Sequence, residues 1–336
     1  LVSPGAEDLN LMVLKEVPYL LSDAFFAPHA CATVAALTPP GHQVMIHDEH
    51  LRGPVDTLLA AQRFDIVGLS VDANQVGRSL EIAELFQAQG RPGQLAVGGV
   101  GTSHMSPRLF ELADAVFLGE AEQTWPGYLD DLAAGAPQRI YRNMVRPDLA
   151  NAPAPRWDLI REDIPRYSSA SVQTSRGCPH DCSFCDVIYT FGRRLRVKPV
   201  ERVLEEVSRL QVMGVKLVYF ADDNFAADRT YIKELLRRLA ALNRTFETQL
   251  AFMTQVDITV ASDHELLQLM LDANLVEVQI GIESVDPAAL RAMNKLQNTR
   301  LDPVAAVRTI QSYGIVVLAH MIVGLDSDGP EAFDRV

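Results

Sequence analysis

Short apolar runs and amphipathic stretches alternate along almost the whole chain, and this constrains the fold more than any other feature. Strands that are apolar throughout, rather than on every second residue, belong inside a parallel sheet covered on both faces. In the second half, strands are predicted over 171–175, 217–221, 249–254, 277–282 and 316–323. Helices are predicted between them over 199–213, 229–242, 263–273 and 303–313. Five βα units in series read as a partial or full barrel. In the first half, the pattern predicts a helix over 30–37, a turn at Pro39-Pro40-Gly41, a strand over 42–46 and a helix over 58–62. A strand over 66–71, an amphipathic stretch over 79–89, a strand over 95–97 running into Gly98-Gly99, and a strand over 115–119 follow. That half reads as a doubly wound, Rossmann-like α/β domain.

Between residues 136 and 168 the periodicity fades and Pro147, Pro153, Pro155 and Pro165 accumulate, a composition that suits an extended connector. The expected organisation is therefore a doubly wound domain over 1–135, a linker over 136–168 and a barrel over 169–336. A length of 336 residues suits two such domains. The sequence opens on Leu1 rather than Met and stops at Val336 just inside what reads as a helix. It reads as a piece of a longer chain, with the barrel cut before its sixth and last strand. Residues 1–10 lack the basic-then-apolar pattern of a signal peptide. Lys and Arg number 30 against 43 Asp and Glu, a net charge of −13, so no overall field draws the chain to nucleic acid. No apolar run is long enough to span a bilayer.

Three of the four cysteines crowd into Ser175-Arg176-Gly177-Cys178-Pro179-His180-Asp181-Cys182-Ser183-Phe184-Cys185, directly after the first predicted barrel strand. The spacing C-x3-C-x2-C places three thiolates on one short loop, where they can close around one face of a 4Fe-4S cubane and leave the fourth iron without a protein ligand. Structural zinc and inert buried thiols are the alternatives. Zinc normally takes four ligands from two Cys pairs; Cys31 is far away, and His180 lies inside the first gap, where ligation beside both neighbours would be strained. A clustered thiol set in a chain with few other cysteines suggests a reducing compartment, so a cytoplasmic location is expected. Cys31, among small apolar neighbours, reads as a buried hydrophobe.

With Phe184 in the aromatic position, this loop resembles the signature of the radical S-adenosylmethionine (SAM) superfamily. The resemblance implies that Cys178, Cys182 and Cys185 hold a 4Fe-4S cluster and that SAM chelates the open iron. It also implies a role for Asp222, Asp223 and Asn224, at the end of the second barrel strand, in receiving the SAM ammonium. Glu283 and Ser284 end the fourth strand, where Leu290, Met293 and Lys295 echo the superfamily's continuation, and Gly324 ends the fifth. All three are expected at the SAM site. The basic run Arg193, Arg194, Arg196 and Lys198 reads either as a solvated face or as a contact for an anionic group.

The first domain resembles the cobalamin-binding domain that precedes the barrel in one branch of the superfamily. Asp72, Asn74, Gly98 and Gly99 are its expected cobalamin-binding positions, the glycines admitting a large flat ligand close to the backbone. Asp48-Glu49-His50-Leu51-Arg52-Gly53 matches a D-x-H-x-x-G cobalt-ligand motif, but it follows the second predicted strand rather than the first, which points to a chance match. The stretch from Tyr167 through Lys295-Leu296-Gln297-Asn298-Thr299 most resembles the subgroup that contains hopanoid methylases. The implied activity is methylation of an unactivated carbon of an organic, lipid-like small molecule through a 5′-deoxyadenosyl radical and methylcobalamin, with electrons from a flavodoxin or ferredoxin. A non-methylating radical enzyme that forms rings or rearranges carbon skeletons, and a non-catalytic sensor, are the alternatives.

Overall fold

The computed structural model describes residues 1–5, 23–90 and 92–335. The chain divides into two compact units, Leu1–Ala170 and Ser171–Val336. Strands of the first unit are β1 (Val2–Ser3), β2 (Ala24–Phe26), β3 (His47–Asp48), β4 (Ile66–Ser70), β5 (Gln94–Gly98), β6 (Ala115–Leu118) and β7 (Ile140–Arg142). All but β2 form one sheet in the order β3-β1-β4-β5-β6-β7, and every neighbouring pair in it is parallel. Alternate residues feed two cores. Leu95, Val97 and Val116 pack with Ile82 and Phe86 of the helix Val76–Ala88 on one face. Ala96, Ala115 and Phe117 pack with Trp125 and Tyr128 of the helix Ala121–Ala133 on the other. A sheet covered on both faces is what its uninterrupted apolar strands require. The order reverses between β1 and β4, so a ligand crevice is expected outside the carboxyl ends of those strands.

Two expectations are corrected. Residues 42–46 form no strand; Met45 is exposed, and the strand is the two-residue β3 just beyond, because β1 offers it only Val2 and Ser3 to pair with. Residues 136–168 are not a free connector. β7 pairs with β6, Tyr141 stacks on Phe117 at 5.3 Å between ring centroids, and Trp157, Ile160 and Ile164 are buried. Asp163 receives two hydrogen bonds from Arg52, at 2.9 and 2.7 Å. Pro153 and Pro155 separate two short helical turns, Leu149–Asn151 and Trp157–Ile160, and Pro165 lies in a third, all within the first unit.

In the second unit the strands are β8 (Tyr167–Val172), β9 (Ser175–Arg176), β10 (Arg196–Val197), β11 (Leu217–Phe220), β12 (Ala251–Val256), β13 (Leu275–Glu283) and β14 (Val316–Met321). β8 starts in the first unit, where β2 pairs with its first half, Ala24 opposite Tyr167. The remaining order is β8-β11-β12-β13-β14, parallel along β11 to β14, and helices join successive strands. This is the expected βα series. Several helices start where an aspartate accepts a backbone N–H of the first turn: Asp228, Asp263, Asp286 and Asp302, the last two followed by Pro. Each such cap contributes about 1 kcal/mol, and proline fits the first helical position. Phe220, fully buried, stacks between Phe225 and Phe252 at 5.0 and 5.3 Å and fixes the end of β11. Among the described residues, no helix is long and apolar enough to cross a membrane.

Candidate radical SAM site

Parallel strands bring all their carboxyl ends to one edge of the sheet, and in the second unit the expected residues collect there. The cysteine loop leaves β9 and returns in β10, which pairs antiparallel with it, Arg196 opposite Arg176. Cys178 N donates to Gly192 O, closing the loop at 3.1 Å. Gly177 holds φ +97°, and a side chain there would collide with the carbonyls of Gly192 and Arg194. Glycine is therefore required where the loop turns toward its first cysteine.

Asp222, 2% exposed, lies behind this loop. Its carboxylate accepts from Thr174 N and Thr174 Oγ1, both at 3.0 Å, and from Ser175 N. Burial pushes its carboxyl up to about 7, against the lowering effect of the Ser175 and Thr174 hydrogen bonds. Asp223 is half-buried and accepts from Gly177 N at 3.0 Å. Its negative charge also reaches the Cys178 and Cys185 thiols. The Asn224 amide donates to Asp257 Oδ2 at 2.8 Å, and His180 Nε2 lies 3.3 Å from the same oxygen. Because an ionised carboxylate only accepts, the Asn224 carbonyl must face away from it; among the described residues that buried oxygen has no partner. Burial would raise the Asp257 carboxyl, but the hydrogen bonds from His180, Thr259 and Asn224 outweigh it and hold the group well below the usual range. Asp257 escaped the sequence reading because its partner in the cysteine loop is 77 positions away.

A second set of contacts holds the loop from the segment after β13. Ser183 N donates to Met293 O at 2.9 Å, and Asn294 Nδ2 to Asp181 O at 2.7 Å. Lys295 Nζ lies 2.6 Å from Glu283 Oε1 in a buried ion pair and 5.5 Å from the Phe184 ring centroid. Glu283 sits at φ +62°. Asn298 Nδ2 donates to Gly281 O and Ile282 O at 2.8 and 3.0 Å. Ser284 Oγ accepts from Asp286 N, and Gly324, at φ +96°, donates its N–H to Asp328.

The Cys182 sulfur receives an N–H from Gln297 Nε2 at 3.6 Å, and the backbone N–H groups of His180 and Val187 act to lower the Cys178 and Cys185 thiols. Burial raises the Cys178 thiol to about 11, partly offset by its backbone donor. Three thiols on one loop, one of them facing a side-chain N–H, fit a cluster that takes three thiolates from the protein. Among the described residues no three His, Cys, Asp or Glu side chains gather closely enough to hold a single metal ion. A cluster asks for a different arrangement, since each thiolate takes its own iron. The basic run divides: Arg193 reaches Asp181 and Pro179 O, whereas Lys198 is buried against Glu206 at 2.8 Å.

In the first unit, Asp72, Asn74, Gly98 and Gly99 lie on neighbouring loops at the carboxyl ends of β4 and β5. Asp72 caps the turn Ala73–Gln75, and Asn74 is exposed on it. Gly99, at φ +110°, and Gly101 abut the Val71–Asp72 backbone, which leaves no room for a side chain. Val100, Met144 and Val145, on loops beyond β5 and β7 at the same edge, are exposed apolar residues. Asp48 caps the helix Glu49–Arg52 while its carboxylate lies 3.1 Å from His50 Nδ1 and accepts from Tyr167 OH at 2.8 Å.

Residues 172–336 match the model of the radical SAM superfamily. The chain belongs to that superfamily. It is 31% identical over 314 residues to the hopanoid C-2 methylase of Rhodopseudomonas palustris, covering 92% of this chain and 58% of that one. An uncharacterized methyltransferase of Synechocystis is 30% identical over 312 residues, covering 92% and 57%. The chain thus spans less than two thirds of these curated relatives. The radical S-adenosylmethionine methyltransferase TsrM of Kitasatospora setae, solved with cobalamin and a 4Fe-4S cluster, shares the fold: TM-score 0.75, 19% identity, 98% of this chain and 70% of that one.

Proposed function

We propose that the protein is a cobalamin-dependent radical SAM enzyme that methylates an unactivated carbon of an organic substrate. The likeness to hopanoid C-2 methylase favours a substrate of lipid class. The observation that carries the proposal is the three-cysteine loop, held between the end of β11 and the segment after β13, with the Gln297 amide N–H aimed at the Cys182 sulfur. Cys178, Cys182 and Cys185 would hold the 4Fe-4S cluster. When bound, the cluster and SAM would supply radical generation, and cobalamin would supply methyl transfer. Asp222 holds the entry to the loop. Asp223 is the acid that meets the SAM ammonium: it is half-buried where Asp222 is sealed, and its charge already reaches two of the thiols. In the first unit, Asp72, Asn74, Gly98 and Gly99, with the exposed Val100, Met144 and Val145, form a carboxyl-end surface suited to a large, partly apolar ligand such as cobalamin. A flavodoxin- or ferredoxin-type protein of the cytoplasm would deliver the electrons.

The test is anaerobic reconstitution with iron, sulfide and hydroxocobalamin, followed by assay for 5′-deoxyadenosine, bound corrinoid and transfer of a deuterated methyl group from SAM to lipid extract. Cys182→Ala should abolish SAM cleavage and leave corrinoid uptake intact. Retained cleavage would overturn the cluster assignment, and absence of corrinoid from the reconstituted parent would overturn the cobalamin assignment.

A further inference from the structure

We propose that Gln297 sets the reduction potential of the cluster by donating its side-chain N–H to the sulfur of Cys182. The inference rests on the cluster reading above. No side chain among the described residues donates a hydrogen bond to Cys178 or Cys185, whose thiols are lowered by backbone N–H groups of their own loop. Cys182 takes its N–H from a side chain 115 positions away, and that donor can be removed without touching the loop.

The contact is built rather than incidental. Gln297 and Cys182 are each 8% exposed. Gln297 lies on the turn Leu296–Arg300, and the residues on either side of it are fixed: Asn298 donates to the carbonyls of Gly281 and Ile282, and Lys295 pairs with Glu283. The same segment grips the loop at Ser183 and Asp181. With both ends held, the amide has little freedom to leave the sulfur. A thiolate only accepts, so the group facing it must be the amide nitrogen.

An N–H directed at a cluster sulfur stabilises the more electron-rich state, because reduction adds one negative charge to the iron-sulfur core and its thiolates. Gln297 therefore eases transfer of one electron from a low-potential donor to the oxidised cluster. Lys295 is a weaker candidate for this role, since Glu283 neutralises its charge at 2.6 Å.

The experiment is a potentiometric titration of the reconstituted protein, with titanium(III) citrate as reductant and the electron paramagnetic resonance signal of the reduced cluster as readout. The parent is compared with Gln297→Leu and Gln297→Glu at equal iron and sulfide content. Gln297→Leu should lower the reduction equilibrium constant about tenfold, equivalent to about 59 mV for a one-electron couple. Gln297→Glu, which sets a negative charge where the donor was, should lower it further. Resonance Raman spectra should also lose a deuterium-sensitive Fe–S(Cys) band in Gln297→Leu. Fully loaded variants that titrate at the parent potential, or above it, would overturn the proposal. So would failure of both variants to assemble a cluster that the parent assembles, since that assigns Gln297 to assembly rather than to potential. Failure of the parent itself to take up a cluster would instead sink the cluster reading.

Discussion

Replacing Lys295 with Met isolates the second grip on the cysteine loop. Lys295 and Glu283 form a 2.6 Å ion pair whose side chains are 10% and 9% exposed. Removing one partner of such a pair strands the other as a buried charge, at about 3–5 kcal/mol. Glu283 adds its own strain: at φ +62° it occupies a conformation that costs a non-glycine residue about 1–2 kcal/mol, and the ion pair offsets that cost in the parent. Met occupies much of the volume of the Lys stem, so its apolar contacts return about 1 kcal/mol. The expected net loss is about 3 kcal/mol, confined to the second unit. The assay is urea unfolding of the cluster-free protein by far-ultraviolet circular dichroism. Tryptophan emission serves as an internal reference, because the two tryptophans, Trp125 and Trp157, both lie in the first unit. Glu283→Gln combined with Lys295→Met removes both charges and should recover at least half of the single-variant loss, a coupling of about 2 kcal/mol. A single variant within about 0.5 kcal/mol of the parent, or a double variant whose loss is the sum of the singles, would refute the account.

Three further outcomes follow from the geometry. Asp257, with its carboxyl held low, contributes stability that is present above the usual pKa of 3.8 and is lost as the pH falls below it. Asp257→Asn should therefore flatten the acid limb of an unfolding-against-pH curve by roughly 2–3 kcal/mol, and an unchanged limb would exclude the network around His180 and Asn224 as its cause. Gly99→Ala forces a side chain into φ +110° against the Val71 carbonyl; it should lower the unfolding free energy read from the tryptophan transition by roughly 2–3 kcal/mol and reduce corrinoid retention. Phe220→Ala, which empties a fully buried position between two stacked rings, should cost about 3–5 kcal/mol, read by circular dichroism; a loss below about 1 kcal/mol would mean that Phe225 and Phe252 close over the gap.

Where a functional signal was local, the sequence carried it. The cysteine spacing lies within eleven residues, and strands β11 to β14 fall where apolar runs predict them, whereas β8 begins four residues before its expected start and β9 and β10 were not predicted. Elements shorter than one period of alternation were not legible: β1 and β3 have two residues each and β7 three. The helix Ala121–Ala133 was hidden by Pro126 inside it. The contacts that hold the site were illegible for another reason, because they join positions far apart in the chain. Asp222 meets Thr174 across 48 positions, His180 meets Asp257 across 77 and Gln297 meets Cys182 across 115.

The acids after β11 show what elementary geometry could have added. Sequence alone groups Asp222, Asp223 and Asn224 as one set facing one cation. Consecutive residues of an extended chain point to opposite sides, so neighbouring acids at a strand end are not expected to share a ligand, and here they do not share an environment. Asp222 turns inward to the Thr174 and Ser175 backbone, while Asp223 stays half-buried beside the thiols. Sealing Asp222 has an energetic consequence: burial raises its carboxyl to about 7, so near neutral pH it is divided between its charged and neutral forms. A raised carboxyl makes its contribution to stability fall as the pH climbs from 3.8 through that value, the reverse of Asp257. Asp222→Asn, locked in the neutral form, should therefore lose the downward slope of stability between about pH 4 and pH 7 while Asp223→Asn keeps it. If both variants follow the parent curve, the two aspartates are not divided in this way.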